Sequence, residues 1–131
     1  MIEFTRNADV QRASLNRPDN AYSLNAAMLQ DLIDIIKAAT AARAVIIAGT
    51  GTVFSAGGDM NKMRGDGLAT SDLWERLSVA IVALLGQSIA ALNGNLAGGA
   101  MGIALACDIR IAVPHANFLS RDAAGFYSTA Q

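Results

Sequence analysis

The run Ala44-Val45-Ile46-Ile47-Ala48, entered from Arg43 and closed by Gly49-Thr50-Gly51, constrains the fold most. It is rich in β-branched residues and has no polar alternation, which is the pattern of a strand buried on both faces, as in a sheet covered by helices. A further buried strand, Ser88–Leu92, and a last strand, Ile109–Val113, follow it. Helical patterns lie between them. From Asn25, a side chain suited to an N-cap, the apolar positions Met28, Leu29, Ile33, Ile35, Ile36 and Ala39 recur at steps of three and four, predicting a helix to about Ala42. A second helix is expected over Ser71–Leu85, with Leu73, Trp74, Leu77, Val79, Ala80, Ile81, Leu84 and Leu85 as a broad apolar face. A third is expected over Gly98–Cys107. The fold class is α/β.

The flanks carry weaker signals. Ile2–Arg6 and Val10–Leu15, joined at Asn7-Ala8-Asp9, form a hairpin candidate. Asn16-Arg17-Pro18-Asp19-Asn20 and Pro114-His115-Ala116-Asn117 carry turn chemistry. Arg64-Gly65-Asp66-Gly67 is the candidate mobile loop, and Phe118–Gln131 shows no clear period. Without a composition shift or low-complexity tract, residues 1–131 are expected to form one unit with an atypical tail over 118–131.

Composition narrows the function classes. Ten Lys+Arg against eleven Asp+Glu is too balanced for a protein that binds nucleic acid by neutralising phosphates. A lone cysteine, Cys107, excludes an internal disulfide framework. The chain opens without a basic region followed by an apolar run, so no leader is expected and the cytoplasm is the default location. Mean hydropathy is +0.34. Yet the longest apolar stretch, Ala97–Cys107, is about half the ~20 residues a membrane span needs. Apolar surface in so short a chain points instead to an oligomer or to a piece of something longer.

Two glycine-rich segments carry the chemistry. Phe54-Ser55-Ala56-Gly57-Gly58-Asp59 and Asn93-Gly94-Asn95-Leu96-Ala97-Gly98-Gly99 each follow a buried strand and each lead towards a helix. Backbone poor in side chains exposes its N–H groups, and one donor from each segment would stabilise a developing oxyanion. The alternative is that the glycines serve turns and close helix–sheet packing. Neither segment matches a phosphate-binding P-loop or a dinucleotide fingerprint.

The chain resembles the crotonase, or enoyl-CoA hydratase/isomerase, superfamily. The resemblance lies in Leu15-Asn16-Arg17-Pro18-Asp19, Leu24-Asn25-Ala26-Ala27-Met28 and Val45–Asp59, then in Ile89–Gly94, Ala97–Ala100 and Ala104–Ala112, in matching order and spacing over roughly residues 10–118. It implies a spiral of β-β-α units binding an acyl-CoA thioester, with the Ala56 and Gly99 N–H groups polarising its carbonyl. It also implies that CoA runs along Asn20, Ala21, Tyr22 and Leu24, and along Ser55, Gly57, Gly58, Asp59, Met60 and Gly98. Coenzyme A enters as part of the substrate; no separate cofactor and no metal are implied.

Two departures qualify the resemblance. Family hydratases carry a glutamate three residues after the oxyanion glycine, where this chain has Gly102. A second family acid falls in a phrase like F-x-x-P-E, matched here by Phe118-Leu119-Ser120-Arg121-Asp122, so Asp122 takes the acid's place while Arg121 replaces the proline. One carboxylate beside an oxyanion hole suits proton shuttling between carbons, which favours isomerisation over hydration. A surface acid is the alternative for Asp122. Members of the family continue into helices that complete the acyl pocket and build a trimer or hexamer, so the chain is expected to be truncated before that region. A non-catalytic fragment or an acyl-CoA-binding subunit is the rival function. Lys62, Arg64 and Arg17 are surface charges or contacts to CoA phosphates. His115 has no nucleophile or second histidine arranged around it, Cys107 is expected to be a buried hydrophobe, and Trp74 is expected in the core. Met28, Met60, Met63 and Met101 are core candidates too, the last three with the option of lining an acyl chamber.

Overall fold

The computed structural model describes residues 2–16, 24–51, 53–55, 72–116, 118–121 and 127–130. The chain opens with the expected hairpin, β1 (Ile2–Asn7) and β2 (Val10–Leu15), whose two-residue turn places Ala8 at φ 54°. Helix α1 (Ala26–Ala38) follows, and the Asn25 side chain accepts a hydrogen bond from the Met28 N–H at 2.9 Å. That contact satisfies one of the donors that a helix start leaves without a partner.

From there the chain repeats one pass: a long strand, a short strand, a helix. The passes are β3 (Ala44–Gly49), β4 (Val53–Ser55) and α2 (Leu73–Val82), then β5 (Gln87–Leu92), β6 (Asn95–Ala97) and α3 (Ala100–Ala106). A last pair, β7 (Ile109–Ala112) and β8 (Phe118–Arg121), precedes β9 (Tyr127–Ala130). The long strands form a five-stranded sheet in the order β1-β2-β3-β5-β7, parallel from β2 onwards. The short ones form a second sheet, β4-β6-β8-β9, parallel except for β8 with β9. Each pass thus adds one strand to each sheet, which is the β-β-α spiral.

Several expectations need correction. Helix α1 stops at Ala38 rather than near Ala42, because Arg43 must donate its N–H to the Asp9 carbonyl at 2.8 Å to bring β3 beside β2. Val53–Ser55 and Asn95–Ala97 are strands, not parts of turns, since they pair with each other across some forty residues. The tail holds the pair β8 and β9, with Phe118 opposite Ala130.

The core gathers the inner face of the large sheet, with Ala13, Leu15, Val45, Ile47, Ala90 and Leu92, against α1 and α2. Met28, Leu29, Leu32, Ile33 and Ile36 repeat at helical spacing on the buried side of α1. The broad apolar face expected of α2 is buried only at Leu77, Ala80 and Ile81. Val79 stays 61% exposed, and Leu85, just beyond the helix, 90%. Edge strand β7 is likewise open at Ile111. Among the described residues no helix is long and apolar enough to cross a membrane.

Candidate active site

The spiral brings the two glycine-rich segments together through β4 and β6. These neighbours run parallel, with Val53 opposite Asn95 and Ser55 opposite Leu96. Because they are parallel, the chain leaves both at the same end of the small sheet. Ser55 closes β4, fully buried, and Ala97 closes β6. Gly98 then takes φ 62°, a left-handed conformation suited to glycine, and turns the chain into Gly99, the cap residue of α3. Gly99 is exposed.

Asn93 holds this end of the fold in register. Lying just after β5, its side chain reaches the connection between β3 and β4. Its Oδ1 accepts from the Gly49 N–H at 3.0 Å, while its Nδ2 donates to the Gly51 carbonyl at 2.8 Å and the Val53 carbonyl at 3.2 Å. One amide thus ties the β3–β4 connection, just ahead of the first glycine-rich segment, to the start of the second. Gly49 has no room for a side chain: a Cβ there would lie 2.5 Å from Asn93 Oδ1 and 2.7 Å from both the Phe54 Cα and the Val53 carbonyl oxygen.

Above Gly99 lies Trp74 of α2. A Cβ on Gly99 would meet three atoms of the indole's six-membered ring, Cζ3, Cη2 and Cε3, at 3.0, 3.1 and 3.2 Å. One turn further along α2, the Ser78 hydroxyl is the nearest group to a Cβ built on Gly102, at 3.9 Å.

The sequence profile of the enoyl-CoA hydratase/isomerase family matches residues 5–129. The chain belongs to that family. It is 40% identical over 120 residues to YngF of Bacillus subtilis, described as an enoyl-CoA hydratase/isomerase, covering 85% of this chain and 46% of YngF. It is 34% identical to the 2,3-dehydroadipyl-CoA hydratase of Escherichia coli, covering 87% of this chain and 47% of that enzyme. The crystal structure of an enoyl-CoA hydratase from Bacillus anthracis superposes with a TM-score of 0.84 at 30% identity, over 92% of this chain and 50% of the other. The chain therefore spans about half the length of the curated relatives it matches.

Within this crotonase fold the sequence-derived positions fall into two groups. Leu24, Ser55, Gly98 and Gly99 lie on the described structure, Leu24 and Ser55 fully buried and Gly99 open to solvent. Asn20, Ala21, Tyr22, Ala56, Gly57, Gly58, Asp59, Met60 and Asp122 lie outside the described residues, as do Met63, Lys62, Arg17 and the loop Arg64–Gly67. Met28 is in the core, whereas Trp74 and Met101 are half-buried at its margin. Asn93 and Ser78 were not singled out by sequence. Asn93 stood in a motif dominated by glycines, and nothing in the spacing of Ser78 connects it to Gly102.

Cys107 is the buried small side chain that its sequence position implies. It is 4% exposed, and burial pushes its thiol up to about 11 from the ordinary 9.0, partly countered by a hydrogen bond with Ser88. Ser88 and Asp108 lock the neighbouring backbone by exchange, each side chain accepting from the other's N–H, at 2.8 and 3.0 Å. A protonated, covered thiol is a poor nucleophile. At pH 7.5 the folded chain should resist iodoacetamide, with alkylation appearing only as denaturant unfolds it. Since the folded thiol holds its proton more tightly than the unfolded one, this contribution to stability is intact below pH 9 and is lost as pH rises towards 11. Urea midpoints that fall across that window check the sign.

Proposed function

We propose that this chain binds an acyl-CoA thioester and stabilises its enolate between the backbone N–H groups of Ala56 and Gly99, shifting a double bond in preference to hydrating it. The observation that carries this is the parallel pairing of β4 with β6, whose ends leave the sheet side by side. Ser55 is one Cα step from Ala56, about 3.8 Å, and neighbouring strands stand about 4.8 Å apart, the scale on which two donors meet one oxygen. Backbone donors suit this task because they are held before the reaction begins and need no reorganisation as charge develops. Gly57, Gly58, Asp59, Met60 and Gly98, together with Asn20, Ala21 and Tyr22, would hold the CoA portion, while Leu24 and Ser55, fully buried, would anchor the chain beside them. Association into a trimer or hexamer belongs to the same proposal, which the exposed Val79, Val82 and Leu85 support.

Gly102 sets the preference between reactions. Hydration adds water across the double bond and needs a group to activate that water. Isomerisation takes a proton from one carbon and returns it to another of the same thioester, so a single carboxylate serves both steps, and Asp122 is the candidate. Among the described residues, a Cβ at Gly102 would meet the Ser78 hydroxyl, at ordinary van der Waals distance. Gly102→Glu should therefore fold, gain about 0.5 kcal/mol from helix propensity, and shift products towards the hydrated thioester. Chromatography of products from 2-enoyl- and 3-enoyl-CoA substrates reads the outcome; an unchanged ratio in a folded variant removes Gly102 as its cause.

The missing carboxylate equally favours a second possibility, a chain that binds acyl-CoA without turning it over. Calorimetric titration with an acyl-CoA, beside turnover of an enoyl-CoA panel, separates the two. Turnover supports the enzyme, binding without turnover supports the binder, and no binding removes both.

A further inference from the structure

Trp74 is the single tryptophan of the chain. The near-equal distances from a Cβ on Gly99 to Cε3, Cζ3 and Cη2 place that Cβ over the face of the ring; a position off the ring's edge would lie much closer to one of these atoms than to its neighbours. The indole therefore lies flat across the side of Gly99. It is not a core residue, for α2 turns Leu77, Ala80 and Ile81 inward while Trp74 remains half-buried. Gly99 and Gly102 are exposed, and Trp74 and Ser78 are half-buried beside them. The two helices present complementary lines there: Trp74 and Ser78, four apart on α2, face Gly99 and Gly102, three apart at the start of α3.

We propose that Trp74 is the specificity-determining residue of the acyl site and restricts it to short acyl groups. This rests on the placement of the thioester carbonyl at the Gly99 N–H. An acyl chain attached to that carbonyl would start beside Gly99, whose Cβ position the indole covers at 3.0–3.2 Å. The ring fills the space towards α2 that a longer chain would take. Methylenes passing the ring would meet the Ser78 hydroxyl, which favours water over hydrocarbon. The ring also explains why position 99 is glycine, since any side chain there would displace it.

Calorimetric affinities of butyryl-CoA and hexanoyl-CoA for the unaltered chain, Trp74→Phe and Trp74→Ala test this, with circular dichroism as the check on folding. Trp74→Ala should move the affinity ratio towards hexanoyl-CoA by about tenfold or more, and Trp74→Phe by an intermediate amount. In the unaltered chain, indole emission should change on adding butyryl-CoA and not on adding free CoA; that measurement needs no variant and carries the test if Trp74→Ala does not fold. Acyl-CoA binding with an unchanged ratio in a folded variant, or with unmoved emission, overturns the role of Trp74 and leaves the acyl-CoA site standing. Failure of every acyl-CoA to bind the unaltered chain overturns both.

Discussion

Gly99→Pro should lower turnover of an enoyl-CoA by about 10²–10³-fold, the effect of deleting one preorganised oxyanion donor, about 2.7–4 kcal/mol. Proline matches the φ of the position, −61°, inside the range a pyrrolidine ring imposes, although it also presses on the left-handed Gly98 before it, at φ 62°. Its ring atoms would nevertheless press on Trp74, as would any Cβ there. Gly99→Ala supplies the control: it adds the same Cβ, 3.0–3.2 Å from the indole, but keeps the N–H. The alanine variant should lose less than the proline variant. In a Trp74→Ala background the alanine loss should largely disappear while the proline loss persists. Equal losses in the two single variants would assign the whole effect to crowding and none to the donor. If the chain binds without turnover, the same comparison applies to acyl-CoA affinity.

Gly49→Ala should destabilise the fold by about 3 kcal/mol, at the upper end for overfilling a packed site. Two of the three atoms its methyl would strike belong to backbone, the Val53 carbonyl oxygen and the Phe54 Cα, both at 2.7 Å, so no side-chain rotation relieves it. The third, Asn93 Oδ1, is the acceptor for the Gly49 N–H, and moving it breaks the tie between the end of β3 and the start of the second glycine-rich segment. Phe54 cannot retreat, because it is fully buried in the core. Asn93→Ala should cost less, about 1–3 kcal/mol, by leaving a buried N–H without its partner. Asn93→Asp keeps the acceptor for Gly49 but turns a carboxylate towards the Gly51 and Val53 carbonyls, and should be no better than alanine. Urea unfolding orders the three variants. A Gly49→Ala variant as stable as the unaltered chain would mean that the β3–β4 connection yields where the structure has it packed.

Long elements were legible in the sequence because their own residues specify them. The unbroken apolar run of β3 demanded cover on both faces, and Asn25 marked the start of α1 through a contact made within three residues. Short elements were not. Three residues of β4 and three of β6 carry no period, and they become strands only because the spiral lays one beside the other. The end of α1 was misplaced for a related reason: Ala39, Ala41 and Ala42 are good helix formers, and a hydrogen bond from Arg43 to the hairpin turn overrides them. At the site, glycines revealed where backbone is exposed but not what stands against it. Trp74 reads as core by spacing alone, and only the approach of α2 to α3 puts its ring over Gly99.

Amide resonances of a uniformly nitrogen-15-labelled sample, titrated with butyryl-CoA and separately with free CoA, probe the carbonyl-binding pair directly. Ala56 and Gly99 should both move downfield with butyryl-CoA along a single binding curve, and neither should do so with CoA alone. Bound butyryl-CoA that leaves either of the two amides unmoved would contradict a thioester oxygen shared between them.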